Sequence, residues 1–142
     1  MQQVFEIDYQ IENINQIATK ILGKTSSKII LFEGEMGSGK TTLIKSLVNN
    51  MVTKDTVGSP TFSLVNEYDT ERGIIYHFDL YRIENKDELL DLGFEDYLNK
   101  NSWVFIEWPE KAEEYLQLNY NRILLKVKKN STRNLKLITN PN

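Results

Sequence analysis

The sequence predicts an α/β domain in which helices flank a mixed parallel and antiparallel sheet. A short apolar, β-branched run at residues 28–32 leads through a glycine-rich loop into a helical pattern from Lys40, which is typical of a buried parallel strand followed by its helix. Alternating patterns with turn residues predict β-hairpins over residues 62–78 and 122–138. Since 142 residues suffice for one core and no stretch resembles a linker, we expect a single domain over residues 1–142.

Helices account for most of the remaining chain. Apolar residues spaced three and four apart predict a first helix that stops near Gly23, with an apolar stripe of Ile11, Ile14, Ile17, Ala18, Ile21 and Leu22. The helix from Lys40 has an apolar face made of Leu43, Ile44, Leu47, Val48 and Met51. Residues 86–98 predict a helix that breaks at Gly93, and residues 103–106 predict a second buried strand that ends on Glu107.

Composition and charge exclude several functional classes. The chain has no cysteine and one histidine, so disulfide frameworks, thiolate zinc sites and multi-histidine metal centres are excluded. No apolar run approaches the ~20 residues of a membrane span, and the first residues lack the pattern of a signal peptide, so we expect a cytoplasmic protein without membrane contact. Residues 1–121 carry 11 basic and 20 acidic side chains, a net charge of −9, whereas residues 122–142 carry six basic side chains and no acidic one. This distribution argues against a generally basic nucleic-acid binder and indicates one local cationic strip.

Residues 34–41 match the phosphate-binding pattern G-x-x-x-x-G-K-[ST] between a predicted strand and a predicted helix, which is the context that the pattern requires. Glycines let backbone N–H groups turn toward phosphate oxygens, and the helix N-terminus adds partial positive charge. We expect Lys40 to reach the β- and γ-phosphates and the Thr41 hydroxyl to bind Mg²⁺. The nucleotide-binding loop thus comprises Glu35, Met36, Gly37, Ser38, Gly39, Lys40, Thr41 and Thr42, where Glu35 and Met36 are variable positions without a required side-chain role and Thr42 is placed near the α-phosphate.

Two acidic residues at predicted strand ends are candidates for metal binding and nucleotide hydrolysis. Glu107 follows an apolar strand, where nucleotide-binding proteins place a carboxylate that holds Mg²⁺ directly or through water. Asp79 ends the strand of residues 74–78, where it orients the attacking water or the water shell of the metal, or instead caps a helix or pairs with Arg82. In ATPases with fast turnover, a second acidic residue that acts as a base follows the metal-binding acid. Here Trp108 occupies the position after Glu107, so we expect slow hydrolysis.

Other polar residues have weaker signals. Thr61 lies in a turn after the nucleotide helix, where it senses the γ-phosphate or caps the turn. His77 alternates with an aromatic residue along a strand, which favours a packed or edge residue over a base. A guanine-nucleotide site is disfavoured, since residues 55–58 fit D-x-x-G without a preceding strand and residues 85–88 miss N-K-x-D, so adenine is preferred.

Five blocks in this order resemble the signature of the bacterial TsaE family, also called YjeE: residues 34–42, 59–68, 77–82, 93–97 and 107–110. The resemblance covers nearly the whole chain. It implies a small P-loop NTPase-like fold, Mg·ATP binding and weak ATPase activity. It also implies partnership with TsaD and TsaB in the threonylcarbamoyladenosine modification of the tRNA adenosine beside the anticodon, with any tRNA contact indirect or peripheral.

The resemblance further implies roles for individual residues. Lys40 and Thr41 match the phosphate and Mg²⁺ residues, Asp79 matches an ATP-site carboxylate and Glu107 matches the metal-site acid. Trp108 matches an aromatic residue beside the site, Arg133 matches an arginine near the nucleotide, and Ile14 stands where the family often has a threonine near the adenine.

The sequence is compatible with two other functional classes. A small-molecule kinase is compatible with the loop and the chain length, although the two arginines before the tail, Arg72 and Arg82, do not suggest the lid of paired arginines that a kinase carries. A nucleotide-gated binding module without turnover is also compatible, because the missing second acid does not exclude it.

Overall fold

The computed structural model of the chain describes residues 2–51, 64–116 and 119–140. Within these residues, one sheet contains seven strands: β1 (Gln3–Tyr9), β2 (Ile29–Glu33), β3 (Val65–Thr70), β4 (Gly73–Asp79), β5 (Trp103–Glu107), β6 (Asn121–Val127) and β7 (Arg133–Thr139). The helices are α1 (Ile14–Leu22), α2 (Lys40–Asn50), α3 (Asp87–Leu92) and α4 (Phe94–Leu98), and 3-10 helices span Ile11–Asn13, Pro109–Tyr115 and Lys129–Ser131. Within these described stretches, every helix is too short or too polar to cross a lipid bilayer.

The strand order is β1-β7-β6-β2-β5-β4-β3, and the four central strands β6, β2, β5 and β4 run parallel. Antiparallel pairs lie at both ends, where β3 pairs with β4 and β7 pairs with both β6 and β1. The predicted α/β fold with a mixed sheet is therefore confirmed. The parallel centre matters for function because the carboxyl ends of β2, β5 and β4 meet at one edge of the sheet.

The two faces of the sheet carry separate apolar clusters. On one face, α1 and α2 pack on inward side chains of the central strands, including Phe32 and Phe105, whose rings meet edge to face at 5.6 Å. On the other face, α3, α4 and the Pro109–Tyr115 segment cover Phe78 and its neighbours. The alternating side chains of β4 therefore point into different clusters, which places His77 on the α2 face and Phe78 on the opposite one.

Asn121 connects the start of β6 to the turn that precedes β2. Its side chain is fully buried, and its Nδ2 donates to the carbonyl oxygens of Ser27 and Ile29, both at 2.9 Å. Its Oδ1 accepts a hydrogen bond from the Ser26 backbone N–H at 2.9 Å. This one amide satisfies three backbone groups and anchors the strand that leads into the glycine-rich loop.

Two details differ from the expectations. Strand β1 was not predicted, although Phe5, Ile7 and Tyr9 alternate with acidic residues, because its partner β7 lies at the other end of the chain. The prediction that Ile11 belongs to the apolar stripe is wrong, since α1 begins at Ile14 and Ile11 lies 57% exposed in the preceding 3-10 turn. The break at Gly93 is confirmed: its φ of 75° ends α3 and separates it from α4.

Candidate functional site

The glycine-rich loop joins the end of β2 to the start of α2, at the carboxyl edge of the parallel strands. Gly39 has φ of 102°, a conformation that favours glycine, directly before α2 begins at Lys40. At Gly34 the constraint is a close approach, because a β-carbon there would lie 2.5 Å from Ser38 Oγ and 2.9 Å from the carbonyl oxygen of Leu125. Glycine at these two positions allows the loop to fold tightly over the N-terminus of α2.

Lys40 lies buried at the mouth of this loop. Its Nζ donates a hydrogen bond to the Gly34 carbonyl oxygen at 2.7 Å and lies 3.6 Å from the centre of the Trp108 ring. Burial lowers the pKa of the Lys40 ammonium group from its ordinary value, and the charge of Glu107 opposes that shift. Phosphate oxygens would satisfy this cation better than one carbonyl and an aromatic face.

Glu107 and Thr41 are brought together from two different elements. Glu107 ends β5 and is only 3% exposed, while Thr41 lies in the first turn of α2. The Thr41 hydroxyl donates to Glu107 Oε1 at 3.3 Å. The predicted pair of oxygen ligands therefore lies in direct contact, next to the Lys40 ammonium group.

His77 also contacts Glu107, which the sequence pattern did not indicate. Its Nε2 lies 2.7 Å from Glu107 Oε2, its Nδ1 lies 3.3 Å from the Tyr68 hydroxyl, and its ring stacks on the Tyr68 ring. The expectation of a packed residue holds, since His77 is buried, but packing is not its whole role. The available signal was the spacing of two between His77 and Asp79, which puts both on one face near the end of β4.

Asp79 lies at the exposed end of β4, opposite Glu107 in the parallel register. One carboxylate oxygen accepts a hydrogen bond from the Tyr81 backbone N–H at 3.1 Å, so it caps the turn after the strand. Within the described part of the chain, Asp79 makes no ion pair with Arg82. The carboxylate thus remains solvent-accessible beside the Glu107 site.

Trp108 forms a rim at the mouth of the site. It adopts φ of 58° directly after Glu107, an unusual backbone conformation for a non-glycine residue. Its ring packs at 5.0 Å from that of Tyr81, which is 45% exposed, and it also contacts the Lys40 ammonium group. An aromatic pair therefore borders the loop on the side of β4 and β5.

Arg133 borders the loop from the opposite side. It lies at the start of β7, and its Nε donates to the carbonyl oxygen of Ser38 at 3.0 Å. The buried Ser38 hydroxyl has no hydrogen-bond partner among the residues that the structure describes. The remaining loop positions Glu35, Met36 and Thr42 are exposed.

A cavity of about 470 Å³ lies along the basic hairpin of β6 and β7, lined by Asp8, Lys128, Lys129 and Thr132. The Asp8 carboxylate accepts hydrogen bonds from Asn134 at 2.8 Å and from Lys128 at 2.9 Å, and these bonds lower the pKa of Asp8 below its ordinary value. Part of the cationic strip is therefore neutralised within the protein.

Two predicted features lie outside the described residues. Thr61 belongs to the segment 52–63, as does the D-x-x-G match at residues 55–58. Their expected roles stay predictions.

Comparison with known proteins identifies the family. Residues 9–135 match the family model of the threonylcarbamoyl adenosine biosynthesis protein TsaE. A protein of Haemophilus influenzae named tRNA threonylcarbamoyladenosine biosynthesis protein TsaE is 41% identical over 88 residues, which cover 62% of this chain and 56% of that protein. A Rickettsia felis protein of the same name is 35% identical over 133 residues, which cover 89% of this chain and 77% of that protein.

The fold is also found in a solved structure. The crystal structure of Bacillus subtilis YdiB superimposes with a TM-score of 0.72 over 98% of this chain and 87% of that chain, at 23% sequence identity. This likeness and the mixed seven-stranded sheet fit an α/β P-loop-like domain. The family model matches most of the length of the chain, and the two named relatives are 41% and 35% identical to it over the aligned residues. The chain therefore belongs to the TsaE family.

Proposed function

We propose that this protein is a slow Mg·ATP-hydrolysing accessory ATPase that acts on a TsaD and TsaB complex during threonylcarbamoyladenosine modification of tRNA. The observation that carries the ATPase part is the contact of Thr41 with Glu107 beside the buried Lys40 ammonium group. The names of the related proteins support the assignment to this tRNA modification.

The loop has the features that a triphosphate needs. The close approach at Gly34 and the positive φ at Gly39 leave backbone N–H groups to turn toward an anion, and the N-terminus of α2 adds its partial charge. Lys40 and Arg133 supply cations on two sides of the loop, and the Ser38 hydroxyl is a buried polar group that a bound phosphate could satisfy. These residues would hold the phosphates of ATP.

The oxygen atoms of Thr41 and Glu107 suit Mg²⁺, a hard cation. In nucleotide sites Mg²⁺ typically binds one or two protein oxygens together with oxygens of the substrate phosphates. When bound, Mg²⁺ neutralises charge that develops on the transferring phosphate group. Asp79 is exposed next to Glu107, so it can accept a proton from, and orient, a water molecule near the site. No second acid follows Glu107, since Trp108 takes that place, which favours slow turnover by the isolated protein.

Charge favours protein partners over direct tRNA binding. The net charge of −9 on residues 1–121 repels a phosphate backbone, and the six basic residues of the tail are partly engaged by Asp8, Glu33 and the loop. The aromatic rim of Tyr81 and Trp108 lies beside the nucleotide site, where a partner could sense its state.

The test is ATP turnover with and without purified TsaD and TsaB. We expect slow Mg²⁺-dependent hydrolysis that rises when both partners are added. Lys40→Ala should abolish ATP binding, and Glu107→Ala and Asp79→Ala should reduce turnover more than affinity. Lys45→Ala, an exposed lysine of the same helix, is the matched control and should behave as the parent protein.

Three outcomes would contradict parts of this proposal. Unchanged turnover with both partners present would refute the accessory role. Formation of ADP only when a metabolite is added would indicate a kinase. ATP binding without turnover under any of these conditions would indicate a nucleotide-gated binding module.

A further inference from the structure

A chain of three polar side chains, of which the second and third are buried, runs from β3 across β4 to β5. The Tyr68 hydroxyl lies 3.3 Å from His77 Nδ1, and His77 Nε2 lies 2.7 Å from Glu107 Oε2. His77 is 5% exposed and Glu107 is 3% exposed, so both ring nitrogens and the carboxylate lie within the protein. The only histidine of the chain is therefore fully occupied by two protein partners.

The hydrogen-bond capacities of these groups define where the histidine proton lies. An ionised carboxylate only accepts, so Nε2 must donate to Glu107. With its N–H at Nε2, the imidazole offers Nδ1 as an acceptor, and the Tyr68 hydroxyl is a matching donor. Burial, together with the negative charge of Glu107, raises the pKa of Tyr68 and keeps that hydroxyl protonated. The 2.7 Å distance is typical of a charge-assisted bond, and the 3.3 Å distance of a weaker neutral one.

The two oxygens of Glu107 have opposite surroundings. Oε2 is held by His77 from the β4 side, and Oε1 faces the Thr41 hydroxyl at the start of α2. The terminal torsion of a glutamate side chain is broad, so an unsupported carboxylate would sample many orientations. A single strong bond at Oε2 is enough to direct Oε1 to the loop.

We propose that His77 is a positioning residue that orients the Glu107 carboxylate toward Thr41 and the metal site, and that Tyr68 sets the tautomer in which His77 does this. The inference rests on the proposed function, because it takes Glu107 as the metal-site acid. His77 is not a base for the substrate, since neither ring nitrogen is free to meet one. It acts through Glu107, as outer partners of metal ligands do.

Three variants separate positioning from packing. His77→Leu removes both ring nitrogens, His77→Gln keeps an amide N–H near the place of Nε2, and Tyr68→Phe keeps the stacked ring but removes the hydroxyl. The full-length protein is loaded with ATP, and Mn²⁺ binding is followed by electron paramagnetic resonance, with the Mg²⁺ concentration for half-maximal hydrolysis as a second measurement. The free energy of unfolding of each variant is measured in parallel.

We expect His77→Leu to weaken Mn²⁺ binding and raise the half-maximal Mg²⁺ concentration by about 10- to 100-fold, with little change in ATP affinity measured without metal. His77→Gln should recover most of this loss, and Tyr68→Phe should fall between the parent protein and the leucine variant. Equal losses in His77→Gln and His77→Leu, or unchanged metal binding in His77→Leu, would overturn the inference. If His77→Leu does not fold, the other two variants still test the inference. Metal affinity like that of the parent protein in Tyr68→Phe, together with a large loss of metal affinity in His77→Gln, would indicate that His77 contributes only by packing.

The single histidine also allows a direct test without metal or nucleotide. With ¹⁵N-labelled histidine, the ring nitrogens of His77 give one set of NMR signals, and we expect a protonated Nε2 and an unprotonated Nδ1. A proton on Nδ1, or on both nitrogens, would overturn the proposed arrangement. A parent protein that neither binds nor hydrolyses Mg·ATP would instead refute the proposed function, and the NMR result would still report on the His77 arrangement itself.

Discussion

Gly34 is a point in the loop where a single added methyl group should damage both stability and nucleotide binding. In Gly34→Ala the new β-carbon would lie 2.9 Å from the carbonyl oxygen of Leu125, a backbone atom of β6 that cannot rotate away. It would also lie 2.5 Å from Ser38 Oγ, and that serine is buried. Relief of these contacts requires the loop to move away from the sheet.

The magnitude follows from this overpacking. An extra methyl group in a well-packed region typically costs about 1–3 kcal/mol, so we expect the free energy of unfolding to fall by about 2 kcal/mol. With a urea dependence of roughly 2 kcal/mol per molar, the midpoint should fall by about 1 M. Because the Gly34 carbonyl oxygen also holds Lys40 at 2.7 Å, displacement of the loop should weaken ATP binding at least about tenfold.

Gly23 supplies the matched control. A β-carbon at Gly23 would lie 3.6 and 3.7 Å from the backbone oxygens of Lys20 and Thr19, which are ordinary contacts, and its φ is −77°. Gly23→Ala should therefore leave ATP binding unchanged and raise the free energy of unfolding by about 0.4–1 kcal/mol, through the lower entropy of the unfolded chain. Urea unfolding and calorimetric ATP titration of both variants test this. A Gly34→Ala protein with parental midpoint and affinity would refute the packing argument.

Three other side chains have effects that can be measured separately. Asn121→Ala leaves three backbone groups, of which the Ile29 carbonyl oxygen is buried, without their 2.9 Å partners. The free energy of unfolding in urea should therefore fall by about 3 kcal/mol, at roughly 1 kcal/mol per bond, and a loss below about 1 kcal/mol would contradict this. Lys40→Met should lose Mg·ATP binding but unfold no more easily at pH 7, because burial lowers the Lys40 pKa. The native parent protein releases this proton more readily than the unfolded chain, so its stability relative to that of the variant should rise as the pH approaches 10.5, and equal pH profiles in urea would refute the burial argument. Arg133→Gln should weaken ATP binding about tenfold by calorimetry, while Lys136→Gln on the same strand should change it less than about twofold.

Much of the fold was predictable because its signals are local. The loop from Gly34 and the helix from Lys40 are defined by a contiguous pattern, and the break at Gly93 needs only one residue with positive φ. Strand β1 was missed although its side chains alternate, since a strand of seven residues with two exposed acids becomes distinctive only beside β7. The local sequence of a strand does not indicate that it pairs with a strand so distant along the chain.

The candidate site likewise combines residues that the local sequence indicates with contacts that depend on the tertiary structure. Lys40 and Thr41 follow from the loop pattern, and Glu107 follows from its place at the end of an apolar strand, whereas the contact between Thr41 and Glu107 depends on how α2 packs on the sheet. The contact of His77 with Glu107 depends on the register of β4 against β5, which pairs Asp79 with Glu107 and thereby sets His77 within reach. A register of this kind is a property of the assembled sheet, so no single segment could reveal it.

The pairing of β1 with β7 has a consequence for the order of assembly. Gln3 pairs with Thr139 and Tyr9 pairs with Arg133, so β1 can join the sheet only after β7 has been synthesised. Strand β2 likewise gains its neighbour β6 only after some ninety residues more have been synthesised. Closing such long loops is entropically slow, so the sheet should be completed only after β7 has been synthesised. A ribosome-bound chain that lacks β7 would then present β1 and the open edge of β6 to chaperones.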